Sequence, residues 1–286
     1  MTSPTTTTPD DLTVTPSPAD TDRALKARHR AVWASGDYPT LARDLIWTLG
    51  PTLVEAAGIS AGQQVLDVAA GSGNVAIPAA ARGATVIASD LTPELFDAGR
   101  VAARDAGVDI DWRTADAEAL GLPDGAFDAV LSSVGVMFAP HQQAAADELV
   151  RVCRPGGTIG LLSWTPTGFI GQLFATMKPF NPPAPQGVQP PPLWGDEAHV
   201  RALLGDRVSG VDARTGSVAI TRFPERGDFR RYFASHYGPT MATYRAVGDD
   251  PGRVAALDEA IDDLAERFTD GGTMRWEYLL LICVRA

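Results

Sequence analysis

The stretch Gln64-Val65-Leu66-Asp67-Val68-Ala69-Ala70-Gly71-Ser72-Gly73-Asn74 reads as an apolar strand that runs into a tight glycine turn and opens a helix. Gly71 and Gly73 carry no Cβ, so the backbone can turn sharply and a ligand can come close to it. Asn74 stands where a cap is expected for the helix that continues Val75-Ala76-Ile77-Pro78-Ala79-Ala80. Pro78 fits only in that helix's first turn. Such a loop is weak evidence alone, because it recurs wherever a strand turns into a helix. Two further acids strengthen it. Asp90 closes Thr85-Val86-Ile87-Ala88-Ser89-Asp90, and Asp116 follows Ile110-Asp111-Trp112-Arg113-Thr114-Ala115. Asp67 falls inside the expected ligand cradle, where a carboxylate suits an ammonium group and repels a pyrophosphate. Asp90 is placed to accept from both hydroxyls of a ribose. Asp116 can accept from an exocyclic amino group such as that of adenine.

Working outward, strands are expected near 63–69, 84–90, 108–114, 127–133 and 157–163, with helices near 74–82, 93–106 and 141–152. That alternation implies a parallel sheet with helices on both faces. Ligands in such sheets bind beyond the carboxyl ends of the strands, where Asp67, Asp90, Asp116 and Ser132-Ser133 all fall. Upstream, residues 1–19 are rich in Thr, Pro and Ser and are expected to be disordered. Residues 20–58 carry a helical pattern (Leu41, Ala42, Leu45, Ile46, Leu49, Leu53, Val54), with Pro51 expected to break or kink it. Past Trp164 the composition changes. The prolines of 179–195 exclude a helix or central strand and read either as a stiffened loop beside the site or as a surface excursion. A strand is expected over 211–223, helices near 226–236 and 250–268, and a last strand over 274–285.

The chain has 286 residues, 45% of them hydrophobic, enough for one large α/β domain with an insertion or cap. A net charge of -11 argues against nucleic-acid and anionic-membrane partners. No apolar run approaches the roughly 20 residues needed to span a bilayer, and no signal-peptide pattern opens the chain. Cytoplasmic localisation is therefore expected, with Cys153 and Cys283 as buried free thiols. No metal site is expected, because His29, His141, His199 and His236 are scattered singly.

These residues resemble the class I S-adenosylmethionine-dependent methyltransferases. Asp67-Val68-Ala69-Ala70-Gly71-Ser72-Gly73 is similar to their first motif, Asp90 matches the acid after the second strand, and Asp116-Ala117-Glu118 the adenine-side motif. Phe127–Ser133 resembles the fourth-strand motif, and Arg151–Gly157 the turn into the fifth strand. Trp33-Ala34-Ser35-Gly36-Asp37-Tyr38 and Val134–Pro140 extend the likeness toward small-molecule enzymes related to the ubiquinone/menaquinone C-methyltransferases. Two positions depart from it. Ala69 replaces the usual first glycine, which costs little if φ is negative there. His141 stands where close relatives would carry an acid.

The resemblance implies a doubly wound, mostly parallel seven-stranded sheet with an antiparallel last strand. It also implies an N-terminal helical lid (20–58), a cofactor-binding core (59–165) and a substrate cap (166–286). It implies S-adenosylmethionine as cofactor, held by Tyr38, Asp67, Ala69, Gly71, Ser72, Gly73, Asp90, Leu91, Asp116, Ala117, Glu118 and Ser133. The expected partner is a lipophilic or aromatic small molecule against Met137, Phe138, Trp164 and Phe233, and a homodimer is compatible with the chain. Methyl transfer demands positioning and at most one proton acceptor. His141 is the first candidate base, with His236 and Tyr237 as further catalytic candidates. Each has a plainer reading as a helix-start or packing residue. Two rivals remain open: a nicotinamide-dependent oxidoreductase, because Gly71–Ala76 also fits G-x-G-x-x-A, and a non-catalytic cofactor-binding regulator.

Overall fold

The computed structural model describes residues 17–185 and 187–286. Most of the proline- and threonine-rich tail lies outside them. Ser17 already caps the first helix, its Oγ accepting from the Asp20 N–H at 3.1 Å.

In chain order the helices and strands are α1 (Pro18–Ala34), α2 (Tyr38–Leu41), α3 (Leu49–Ala56), β1 (Gln64–Val68), α4 (Ala76–Ala81), β2 (Thr85–Asp90), α5 (Phe96–Asp105), β3 (Asp111–Thr114), β4 (Phe127–Ser133), α6 (Gln142–Val152), β5 (Cys153–Trp164), α7 (Phe169–Met177), α8 (Glu197–Leu204), β6 (Val208–Ile220), α9 (Asp228–His236), α10 (Gly238–Val247), α11 (Pro251–Arg267), β7 (Thr269–Asp270) and β8 (Thr273–Arg285). A π-helical turn, Ala42–Ile46, joins α2 toward α3. The helical run breaks at Trp47–Thr48 and not at Pro51. Pro51 falls in the first turn of α3, where a missing N–H removes no intrahelical bond. Pro78 likewise sits in the first turn of α4.

The sheet runs β3-β2-β1-β4-β5-β8-β6, with the two-residue β7 paired to β8. The first five are parallel, and β8 lies antiparallel between β5 and β6. This is the doubly wound sheet with an antiparallel end that the sequence implies, enlarged by the short β7. Because β1 and β4 are central, nearly all their side chains are buried on both faces, including the polar Asp67, Ser132 and Ser133 at their C-terminal ends. The C-terminal ends of β1, β2 and β4 open side by side, and α1, α2 and the helices after β5 close over them. Among the described residues, no helix is long and apolar enough to cross a membrane.

Candidate active site

Two cavities meet above those strand ends. The larger, with about 700 Å³ of open volume, is lined by the β1 turn (Ala69, Gly71), the β2 end (Asp90, Leu91), Asp116-Ala117 and one face of α1. That face carries Lys26, His29 and Trp33, spaced three and four residues apart as one helical stripe requires.

The β1 turn is built by two carboxylates. Asp67 is 1% exposed and does not line the cavity. Its Oδ2 accepts from the Ala76 N–H at 2.9 Å, so Asp67 and not Asn74 serves the start of α4. Asn74 instead turns its amide to the Ile46 carbonyl at 3.3 Å. Burial, with the Asp90 charge adding to it, pushes the Asp67 carboxyl up to about 8, against the bonds from Ala76 and Val75. Asp90 does face the cavity. Its Oδ2 accepts from Gly71 N–H at 2.8 Å and its Oδ1 from Thr92 N–H at 2.7 Å. Each oxygen keeps a lone pair. A Cβ on Gly71 would stand 3.4 Å from the Tyr38 ring, which covers the turn from α2.

Ala69 contradicts the expectation of a negative φ: it sits at φ 54, in the left-handed region. Val134, just past β4, sits at φ 46. The two lie at the ends of neighbouring strands. Between them Gly135 passes so close that a Cβ there would meet the Ala69 carbonyl oxygen at 2.3 Å. Left-handed backbone costs an ordinary residue about 1–2 kcal/mol and a β-branched one more, and such strain gathers at functional sites. Both residues line the larger cavity.

At the opposite end, α1 is bolted down by charge. Lys26 Nζ reaches Asp116 Oδ2 and Glu118 Oε2 at 2.7 Å each, and Asp22 Oδ2 at 3.0 Å. Burial disfavours its charge, yet the three carboxylates outweigh that and raise its pKa. Glu118 also holds His141, its Oε1 accepting from the His141 N–H at 2.7 Å and its Oε2 standing 2.9 Å from Nδ1. His141 therefore starts α6 at the Asp116 end and lines neither cavity. Sequence reasoning overlooked Lys26 and His29. One signal for Lys26 was available, since the chain has only two lysines, Lys26 and Lys178. His29 is held neutral by burial, partly offset by a bond to the Phe138 carbonyl.

The smaller cavity, with about 300 Å³ of open volume, shares Trp33, Tyr38, Val134 and Phe138 with the larger one and continues past them to Trp164, Ile170, Phe233, Tyr237 and Trp276. Its rings pack edge to face, Trp33 meeting Phe138 at 4.6 Å and Tyr237 at 5.7 Å between centroids. Burial raises both the Tyr38 and Tyr237 hydroxyls, so they stay protonated donors. Of the residues expected here, Phe138, Trp164, Phe233 and Tyr237 line the cavity. Met137 points into the core. His236 lies outside both cavities, stacked on Tyr232 at 4.1 Å. Ser72, Gly73 and Ser133 support the strand ends without lining either space. The proline stretch ends in a 3-10 turn, Pro191–Gly195, where Gly195 packs on the Trp164 carbonyl and so braces the cavity wall from behind.

Comparison with known proteins follows the same lines. A family model described as a methyltransferase domain matches residues 66–161. An uncharacterized protein of Mycobacterium tuberculosis is 49% identical over 265 residues, spanning 93% of this chain and 97% of its own. The demethylmenaquinone methyltransferase of Clavibacter sepedonicus is 37% identical over 121 residues, 42% of this chain and 48% of that one. Among solved structures, the YcgJ protein of Bacillus subtilis matches with a TM-score of 0.56 at 17% identity, covering 83% of this chain and 98% of that one, a likeness of fold.

Proposed function

This chain belongs to the class I S-adenosylmethionine-dependent methyltransferases, and we propose that it methylates an O, C or N atom of a lipophilic or aromatic small molecule, in specialised metabolism and in the cytoplasm. In this reading residues 20–58 are the lid, 59–165 the cofactor core and 166–286 the substrate cap. The observation that carries the proposal is the shared wall: Trp33, Tyr38, Val134 and Phe138 face the cavity that holds Asp90, Asp116 and Lys26 on one side and an aromatic one on the other. A cofactor in the first would have an acceptor in the second as its neighbour.

The residues fit that cofactor. Asp90 retains one lone pair on each oxygen for ribose hydroxyls. Asp116, beside Ala117, offers a carboxylate to the adenine amino group, and the Cβ-free Gly71 lets the methionine end lie close beneath Tyr38. When bound, S-adenosylmethionine supplies a methyl on a positively charged sulfur, an electrophile already activated. The chain's contribution is to orient the acceptor and exclude water. Among the described residues, no carboxylate, imidazole or amine lines the aromatic cavity, so catalysis rests on positioning the acceptor against the methyl group. This gives His141 and His236 no role as base, and it gives Tyr237 a role as wall and hydrogen-bond donor.

Calorimetry with S-adenosylmethionine, S-adenosylhomocysteine and NAD tests the proposal. The first two are expected to bind and NAD is not. Tight NAD binding without a response to S-adenosylhomocysteine would overturn it in favour of an oxidoreductase.

A further inference from the structure

Trp276 stands on β8 opposite Val218 of β6 and is 1% exposed. Its ring stacks on Phe169 at 5.6 Å and meets Phe233 and Trp164 edge to face at 5.7 and 6.0 Å. Its indole nitrogen is buried without a hydrogen-bond partner, and the residue lines the aromatic cavity. A phenylalanine would keep much of this ring packing. An unpaired N–H in apolar surroundings forfeits its hydration without replacement, so the indole is a poor choice unless something else meets its hydrogen. Trp194 has an equally unpartnered nitrogen but lines neither cavity, so the same reasoning does not extend to it.

The rest of the cavity wall narrows what that partner is. Every one of the eleven lining residues lacks a formal charge. A carboxylate, a phosphate or an ammonium entering here would be stripped of water without a counter-charge, a cost no hydrogen bond to a neutral group repays. Trp276 can only donate, whereas the protonated Tyr38 and Tyr237 hydroxyls can donate or accept. An obligate donor without a partner, on a residue that lines an aromatic and uncharged space, suits an oxygen that accepts.

We propose that Trp276 is a specificity-determining residue whose indole N–H meets an oxygen of the acceptor, and that the acceptor is an uncharged aromatic molecule bearing a hydroxyl or carbonyl group. This rests on the reading of the aromatic cavity as the acceptor site. The substrate class is thus separated from alkylammonium ions, carboxylates and phosphorylated lipids, whose charge the wall does not balance.

The test uses the full chain loaded with S-adenosylhomocysteine and four probes of one shape: 2-naphthol, naphthalene, 2-naphthoate and 2-naphthylmethylammonium. By fluorescence titration, 2-naphthol is expected to bind about tenfold more tightly than naphthalene, the worth of one hydrogen bond, and the two ions are expected to bind more weakly than either. Trp276→Phe is expected to bring 2-naphthol to the level of naphthalene and leave naphthalene unchanged. The proposal is overturned if 2-naphthol does not bind, if it binds no better than naphthalene, if either ion binds more tightly, or if Trp276→Phe keeps the preference for the hydroxyl. Should that variant fail to fold, the indole 1H–15N resonance of Trp276 in the wild-type chain decides: 2-naphthol is expected to shift it and naphthalene is not, and an unshifted resonance overturns the proposal. Should S-adenosylhomocysteine itself not bind, the reading of the larger cavity fails separately, and the four-probe ranking without it still tests the aromatic one.

Discussion

The two cavities share four side chains and are built on opposite principles. In the larger one, polar groups come already paired. Asp90 is tied to Gly71 and Thr92, and Asp116 to Lys26 and to the Glu118 N–H at 2.9 Å. In the smaller one, rings pack on rings, and the indole of Trp276 is left without a partner. The difference teaches where each can change. A cavity whose acids also hold its loop together loses ligand and backbone order with the same substitution. A cavity walled by interchangeable rings can be reshaped with little loss of fold.

The sharpest way to break that contrast is Asp90→Ala. A strand-end acid reaching only for ribose would cost affinity and leave stability alone. The structure makes Asp90 an acceptor for two backbone N–H groups as well, and both would lose it in the variant. Affinity for S-adenosylhomocysteine is expected to fall by about 2–4 kcal/mol, two charge-assisted bonds less solvent compensation. Stability to urea is expected to fall by about 1–3 kcal/mol. If affinity falls while stability holds, the β1 turn does not depend on Asp90, and its two jobs are separable after all.

Lys26→Met tests the same contrast at the other end. The ammonium is 15% exposed and joins α1 to Asp116 and Glu118. Its loss leaves three carboxylates facing one another. Being intermediate between surface and buried pairs, the site is expected to lose about 1–2 kcal/mol. Hydrogen exchange is expected to rise in α1 and hardly at all in β1 or β4, and S-adenosylhomocysteine is expected to dissociate faster. Tighter binding in the variant would show that Lys26 competes with the ligand for Asp116 and does not fasten the helix over it.

The larger cavity was also the more legible in the sequence, for a physical reason. Strand, turn and acid are local. Asp67, Asp90 and Asp116 each close a run of alternating or continuous apolar residues, and a parallel sheet brings such ends to one edge. What the acids do once there is not local. Asp67 serves the helix it precedes, and Ala69 adopts a positive φ with Gly135 packed against its carbonyl from the neighbouring strand end. Neither follows from their own neighbours in sequence. The aromatic cavity draws on Trp33, Phe138, Trp164, Phe233 and Trp276, spread over most of the chain. Several of its residues could be named as a wall, but Trp276 could not be told from a core residue of the last strand. The nine-residue α7 escaped notice because it is apolar nearly all round, leaving no polar face to mark a 3.6-residue period.

The smallest expected effect bears on the seam between the cavities. Ala69 lines the larger one at φ 54, beside Gly135 and the strained Val134. Ala69→Gly removes a left-handed penalty of about 1–2 kcal/mol. It adds about 0.5–1 kcal/mol of backbone entropy to the unfolded chain. The balance favours the variant by about 0.5–1 kcal/mol, a rise of about 1–4 °C in melting temperature for a chain of this size. Because Ala69 offers the cavity no polar side-chain atom, affinity for S-adenosylhomocysteine is expected to stay within about twofold. A stabler variant with unchanged affinity would mean that the strain at Ala69 is incidental to the turn. A stabler variant that binds less tightly would mean that the turn is held in its binding shape by that strain, and the seam would then belong to the site and not merely border it.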